Sequence, residues 1–445
     1  MATKIMKKYF ISILLSAASI LIFDSCEKER VHFVDVNMYP KAEAYIKLAL
    51  QLGKFDPNFI SHYYGPAYIK RRADAESKSL DEIKKSTDSL IFEMRKYNEK
   101  YFNGLWKFRY NMLLKSLYSL KFRTEQLSGT PTNFNEEMTM LFDCSPVIID
   151  EEYFARIHSR LDSIIVGENP VLEKCIEFRN KLIVSPEKVK YFVDKIISEA
   201  KIQTIRNLVL PPKEYVKIKY QPYGDNKIDY QYLGNFVSEI SINTSSQFYI
   251  DELIELICRN TYPGKHVIAM LWEKSFVIDS GWVEFSLLPK YSPLSFLFEG
   301  TSSIARKIVL PGKDYSDFFL YSIFPQMGIK DTVIIKTSQK FFEQQNKINI
   351  ADYYIGRLIC DTVISHQTAI DSLAHLKLIE HQNAEKKINR LISQRTYPGG
   401  YVMTNAIYLE YLKRLNIGED MPNALWLEYS KFIFTPLTVS ELKGQ

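Results

Sequence analysis

Glu252-Leu-Ile-Glu-Leu-Ile-Cys258-Arg259-Asn260-Thr261-Tyr262-Pro263-Gly264-Lys265-His266-Val267 reads as an apolar helix that Pro-Gly interrupts and that Ile268, Leu271 and Trp272 resume. Proline has no N–H for the carbonyl four residues back, here that of Arg259, and its ring crowds that turn. The helix must therefore kink or restart at Pro263, which suits the first turn of a second half. A break of this kind exposes backbone groups and brings side chains of both halves toward one point.

Helical spacing dominates on both sides of the break. From Tyr153 to Ile165 the apolar residues Phe154, Ile157, Leu161 and Ile164 recur three or four apart, which puts them on one helix face. Ser185-Pro186 reads as an N-cap followed by a first-turn proline, ahead of Val189, Phe192, Val193 and Ile196. Similar patterns run through Tyr39 to Leu52, Leu80 to Tyr97, Leu105 to Leu120, Ala351 to Cys360 and Tyr401 to Leu415. Such stripes must be buried against one another, which predicts a mostly α-helical bundle. One segment departs from it. Tyr215-Val-Lys-Ile-Lys-Tyr220 and Val237-Ser-Glu-Ile-Ser-Ile242 alternate, with Gly224, Asp225, Asn226 and Gly234 between them. Alternation bounded by turn residues predicts a small antiparallel β-insert over about 213–244. No composition shift marks a boundary, so 39–445 is expected to form one helical domain.

The N-terminal residues read as an export signal. Lys4, Lys7 and Lys8 precede an uncharged apolar run from Tyr9 to Phe23, short for a bilayer span, which ends at Asp24-Ser25-Cys26. A small residue directly before a cysteine is where a bacterial lipoprotein is cut and acylated, although Phe23 and Asp24 depart from the usual box. On this reading 1–25 is a signal peptide, Cys26 carries lipid and 26–38 is a tether. The partner is then a membrane, held firmly through several acyl chains at the bacterial cell envelope. The alternative is a plain secretory signal with Cys26 as an ordinary residue. Glu27 and Glu29 leave the periplasmic face and the outer surface both open.

Without residues 1–25 the formal charge falls from +5 to +3, with acids and bases interspersed. That gives no electrostatic footprint for nucleic acid. Cys144, Cys175, Cys258 and Cys360 contain no C-x-x-C pair, and four cysteines allow three pairings. Buried free thiols are the expected state.

At the Pro-Gly break the chain resembles an uncharacterised bacterial family that carries His-Glu-x-x-Pro-Gly-His-His, followed further along by Glu-Gly. That family is itself similar to the His-Glu-x-x-His zinc peptidases. Further landmarks are Leu52-Gly-Lys-Phe-Asp-Pro57, Tyr63-Tyr64-Gly65-Pro66, Leu141-Phe-Asp143, Ser241-Ile-Asn243-Thr244, Gly281-Trp282-Val283-Glu284-Phe285, Tyr291-Ser292-Pro293 and Phe298-Glu299-Gly300. The resemblance implies a helical zinc-peptidase-like bundle with the β-insert near its cleft. Zinc needs about four lone-pair ligands, with one position for a water that a neighbouring glutamate deprotonates. Histidines seven residues apart on a straight helix stand about 10 Å apart, so the break is what would let them converge.

This chain keeps the break and changes the ligands. Arg259 stands at the family's first histidine, Asn260 at its glutamate and Lys265 at the next histidine; His266 and Glu299 remain. A guanidinium offers a metal no lone pair, and an amide is no base. Glu299 is expected to pair with Arg259, because a buried guanidinium without a partner is very costly. His266 reads as a hydrogen-bonded residue more readily than as a residual ligand. Arg395-Thr-Tyr397-Pro-Gly-Gly-Tyr401 begins what resembles the family's closing pocket helix, so Tyr262, Arg395, Tyr397 and Tyr401 are the candidates to hold a ligand. His32, His62 and His158 are isolated, and His366, His375 and His381 lack the spacing of four that chelation prefers. Cys258 beside Arg259 is a conceivable thiolate, but packing explains it better. The expected protein is a catalytically degenerate peptidase-like lipoprotein without cofactor, holding a peptide or protein in its cleft. Two alternatives stay open: an active hydrolase that recruits zinc through His266 and Glu299, and a structural lipoprotein whose cleft is closed by large side chains.

Overall fold

Capping side chains fix the starts of several helices in the computed structural model, which describes residues 32–97, 102–224 and 226–444. Ser79 and Glu82 form a capping box ahead of the helix Leu80–Arg95, and Asn133 and Glu136 another ahead of Phe134–Phe142. Each satisfies two otherwise unpaired first-turn N–H groups. The chain divides into two compact units, 1–41 and 42–445. The expected signal peptide and Cys26 lie outside the described residues. Residues 32–38, expected as tether, open helix α1 (His32–Leu52) instead. Among the described residues no helix is long and apolar enough to cross a membrane.

The second unit is mostly helical, as the periodicity predicts. The elements that build the site are strand β1 (Ile60–Tyr63), helices α2 (Gly104–Leu127) and α3 (Val189–Asn207), strands β2 (Tyr215–Gln221), β3 (Ile228–Gly234) and β4 (Val237–Asn243), and helices α4 (Ile250–Asn260) and α5 (Lys265–Trp272). Strand β5 (Leu287–Pro289), α6 (Pro293–Ser303), α7 (His381–Gln394) and α8 (Thr396–Arg414) complete it. Ala351–Cys360 is helical over the predicted residues, and Val189–Asn207 follows a short 3-10 turn at Pro186–Lys188. Ser185 stands at the start of that turn without a capping hydrogen bond from its side chain.

The β-insert differs from expectation in one respect. Its order is β2–β4–β3, with β3 antiparallel to β4 but β2 parallel to it, Tyr215 opposite Val237 and Gln221 opposite Asn243. The two alternating segments do pair. The stretch between them supplies a third strand, and crossing it brings β2 and β4 into the same direction. A separate pair, β1 antiparallel to β5, packs near β3.

Helix α6 sits at the centre. Ser292 caps it by accepting from the Ser295 N–H at 3.1 Å, and Pro293 fills the first turn, where its missing N–H costs nothing. Every residue of α6 except Ser303 is buried. Burial of Leu294, Phe296, Leu297 and Phe298 contributes about 2 kcal/mol each. Gly300 permits the close approach of α8: a Cβ there would lie 2.5 Å from the ring of Tyr408. The Gly281–Phe285 landmark also has a structural cause. Arg109 on α2 donates to both oxygens of Glu284, at 2.6 and 3.2 Å, beneath the rings of Trp106 and Trp282. Both charges are buried, and the two-point fork compensates them.

Candidate functional site

The Pro-Gly break is a tight four-residue connection. Helix α4 ends at Asn260 and α5 starts at Lys265, so Pro263 lies ahead of the second helix rather than in its first turn. The Tyr262–Pro263 peptide is cis, and the Pro263 carbonyl accepts from the Tyr429 hydroxyl at 2.8 Å. The connection folds Arg259, the last-turn residue of α4, and Lys265, the first residue of α5, onto the same point. That point is Glu299.

Both carboxylate oxygens of Glu299 are occupied. Oε2 accepts from Arg259 Nη2 at 2.5 Å, while Oε1 accepts from Lys265 Nζ at 2.9 Å and from the Tyr397 hydroxyl at 3.0 Å. The expected Arg259–Glu299 pair is thus present, and Lys265 joins it. The side chains of Arg259, Lys265 and Glu299 are 11%, 15% and 7% exposed. The guanidinium also stacks on Tyr401, its carbon 3.3 Å from the ring centre. Burial alone would raise the Glu299 carboxyl. Lys265 and Arg259, with the Tyr397 hydroxyl, outweigh it and hold the group at about 2. Burial conversely lowers Lys265 and Arg259, and Glu299 offsets part of that.

His266 belongs to a second cluster. It is fully buried, with Nε2 at 2.8 Å from Glu214 Oε2 and Nδ1 at 2.8 Å from Ser238 Oγ. Burial pushes its pKa below the ordinary value despite Glu214, so the ring is neutral. The network then assigns the proton to Nε2, donating to Glu214, with Nδ1 accepting from Ser238. Glu214 also accepts from the Tyr262 hydroxyl at 2.5 Å and pairs with Lys201 at 2.6 Å. Burial favours a higher value, but hydrogen bonds from His266, Lys201 and Tyr262 hold this carboxyl at about 2. Serine, histidine and glutamate stand here in hydrogen-bond series, as in a nucleophile–base–acid triad. Ser238 and His266 are both wholly inaccessible, so no substrate reaches the hydroxyl. The cluster is structural: it pins the insert to α5.

The remaining predicted residues divide accordingly. Asn260 donates to the Leu256 carbonyl of its own helix at 2.8 Å. Tyr262, expected to hold a ligand, is buried, with its hydroxyl engaged by Glu214. Arg395, expected likewise, donates to Glu137 at 2.6 Å and to the Thr132 carbonyl at 3.2 Å, because a buried carboxylate needs that cation. Tyr397 and Tyr401 do reach the Glu299 centre. Burial raises the Cys258 thiol well above its ordinary value, so no thiolate forms there. Cys144, Cys175, Cys258 and Cys360 are free thiols.

Other residues of the site carry no motif. Glu214 precedes β2 as the single acid of a mostly apolar loop, and Ser238 is one of two serines on β4. His62 on β1 packs against Tyr64, Tyr232 and Phe298, with ring centres 5.9, 5.9 and 6.2 Å apart. Burial, and then Lys265, depress it to about 3, so the ring is neutral. Lys290, next to a landmark that names only its neighbours, reaches the Tyr397 ring at 4.5 Å. Among the described residues no group of three or more His, Cys, Asp and Glu is placed to hold a metal ion.

The two depressed carboxylates set an acid dependence. A carboxyl held below its ordinary value of 4.5 stabilises the fold above that value and loses the contribution as pH falls through the folded one. Denaturant midpoints should therefore hold from pH 7 to about 5 and drop as pH falls toward 2. Glu214→Gln and Glu299→Gln should each flatten that drop. A wild-type midpoint unchanged at pH 3 would contradict this account.

No family model matches the chain, and no curated protein matches it. A solved structure it resembles is that of a candidate lipoprotein from Colwellia psychrerythraea, over 82% of this chain and 68% of that one, at 13% identity and a TM-score of 0.49. So remote a likeness assigns neither a family nor an activity.

Proposed function

We propose that this chain is a catalytically degenerate relative of the helical zinc peptidases, serving at the bacterial cell envelope as a lipid-anchored binding or scaffolding protein. The observation that carries the reading is the occupation of both Glu299 oxygens by Arg259 and Lys265. Two cations stand at the family's ligand positions and are themselves satisfied by the surviving acid. A divalent ion entering there would meet like charge and would have to displace both. His266, the other survivor, has both ring nitrogens engaged. These residues do not fit zinc, and Asn260 supplies no base.

The lipid anchor rests on the n-region Lys4, Lys7 and Lys8, the apolar run Tyr9 to Phe23, and Ser25-Cys26. A peptide or protein ligand is favoured by the insert, whose edge strand β2 has an unpaired side that an extended chain could join.

Metal analysis of the purified protein, with a peptidase assay before and after a chelator, tests the reading. We expect far less than one zinc per chain and no chelator-sensitive hydrolysis. Stoichiometric zinc with chelator-sensitive activity would replace this account by that of an active hydrolase.

A further inference from the structure

The charges around Glu299 do not balance. Lys290 follows β5 and is half-buried, its ammonium 4.5 Å from the centre of the Tyr397 ring and 5.6 Å from that of Tyr291. Its hydrogen-bond partner is a neutral one, the Gln394 side-chain oxygen at 3.2 Å. Gln394 lies one turn beyond Arg390 on α7, so the two share a helix face. Among the described residues neither Lys290 nor Arg390 has an acid within ion-pair distance. Arg123 pairs with Asp56 at 2.6 Å and also lies over Tyr291, 4.4 Å from its centre. Arg123 is answered by Asp56, and Arg259 and Lys265 share Glu299, so Lys290 and Arg390 stand near them with no acid in ion-pair reach among the described residues.

Two tyrosine rings soften the desolvation of Lys290 but carry no formal charge. A half-buried ammonium without a counter-ion is unfavourable in the empty protein, and an arriving anion would relieve it. Lys290 already shows the cost: burial, then the neighbouring Arg390, depress its amine to about 8. The Tyr397 hydroxyl is committed to Glu299, which leaves its ring to Lys290, and Arg390 lies on the exposed face of α7.

We propose that Lys290 and Arg390, brought together through Gln394 beside the Tyr397 ring, bind an oxyanion: a carboxylate or phosphate group of the ligand that this protein holds. The inference rests on the binding role proposed above and adds the chemistry of what is bound. Arg390 supplies a fork for two oxygens, and Lys290 a point charge beneath them.

The test is amine acylation of the full-length protein at pH 8, followed residue by residue by mass spectrometry. Succinate and inorganic phosphate are titrated separately against chloride at constant ionic strength. Lys313, 82% exposed, serves as the internal control. Lys290 should be labelled about tenfold more slowly at a probe concentration ten times its dissociation constant, with Lys313 unchanged. Arg390→Gln, a surface substitution, should require about tenfold more probe for the same protection. Protection by one probe alone supports the site and identifies the group. Lack of protection by either probe, equal protection of Lys313, or indifference to Arg390→Gln would overturn the site. The zinc and peptidase assays on the same preparation separate the two failures. Zinc with activity removes the binding-protein reading, whereas unprotected Lys290 without zinc removes the oxyanion site alone.

Discussion

Glu299→Gln should cost about 3 kcal/mol or more of folding stability, because it strands two buried cations that share one counter-ion. The substitution preserves shape and one acceptor oxygen, so packing changes little. What it removes is the negative charge between Arg259 and Lys265, whose side chains are 11% and 15% exposed and cannot turn to water without opening the core. Desolvation of each cation amounts to several kcal/mol, and Glu299 is its main compensation. The diagnostic arm is a second substitution. Adding Lys265→Met to Glu299→Gln removes one stranded charge and should restore part of the loss, whereas ordinary packing damage would accumulate. Denaturant titration of wild type, single and double variants decides it. A Glu299→Gln midpoint within about 0.5 kcal/mol of wild type would mean that the pair contributes nothing measurable.

Gly264→Ala should be comparably severe for an unrelated reason. A Cβ at this position would stand 1.9 Å from the Arg259 carbonyl oxygen, 2.4 Å from its carbon and 2.6 Å from the Cys258 oxygen. These are backbone atoms of the last turn of α4, so no side chain can move aside. The Gly264 N–H also donates to that Cys258 carbonyl at 3.2 Å, which ties the turn to the helix it would have to leave. Overpacking of flexible side chains costs about 1–3 kcal/mol, and a clash with fixed backbone costs more. The expected result is a poorly folded or strongly destabilised protein by circular dichroism and denaturant titration. A Gly264→Ala protein as stable as wild type would refute the turn geometry.

The helices were legible because each carries its own period. Ala351–Cys360 could be read from local spacing alone, and the Arg259–Glu299 pair from the fact that a new buried cation needs an acid. What escaped reading depends on contacts distant in the chain. Glu214 and Ser238 flank and form strands of the insert, and nothing near them signals that α5 will deliver His266 between them. Tyr262 and Arg395 look like free recognition groups until Glu214 and Glu137 claim them. The direction of β2 was hidden because alternation reveals which face a strand buries, not how it runs beside its partner. Lys290 was overlooked since its meaning lies in the partners it lacks.

Helix α6 has no face toward water, and this bears on how the protein can change. An element enclosed on all sides cannot fray turn by turn, so its amides exchange only when the whole body opens. Glu299 is therefore fixed in the slowest-breathing part of the molecule. Rearranging its ion pairs to admit a different guest would demand disassembly, not a rotamer flip. Adaptation is left to the solvent-facing side of α7, where residues such as Arg390 are exposed.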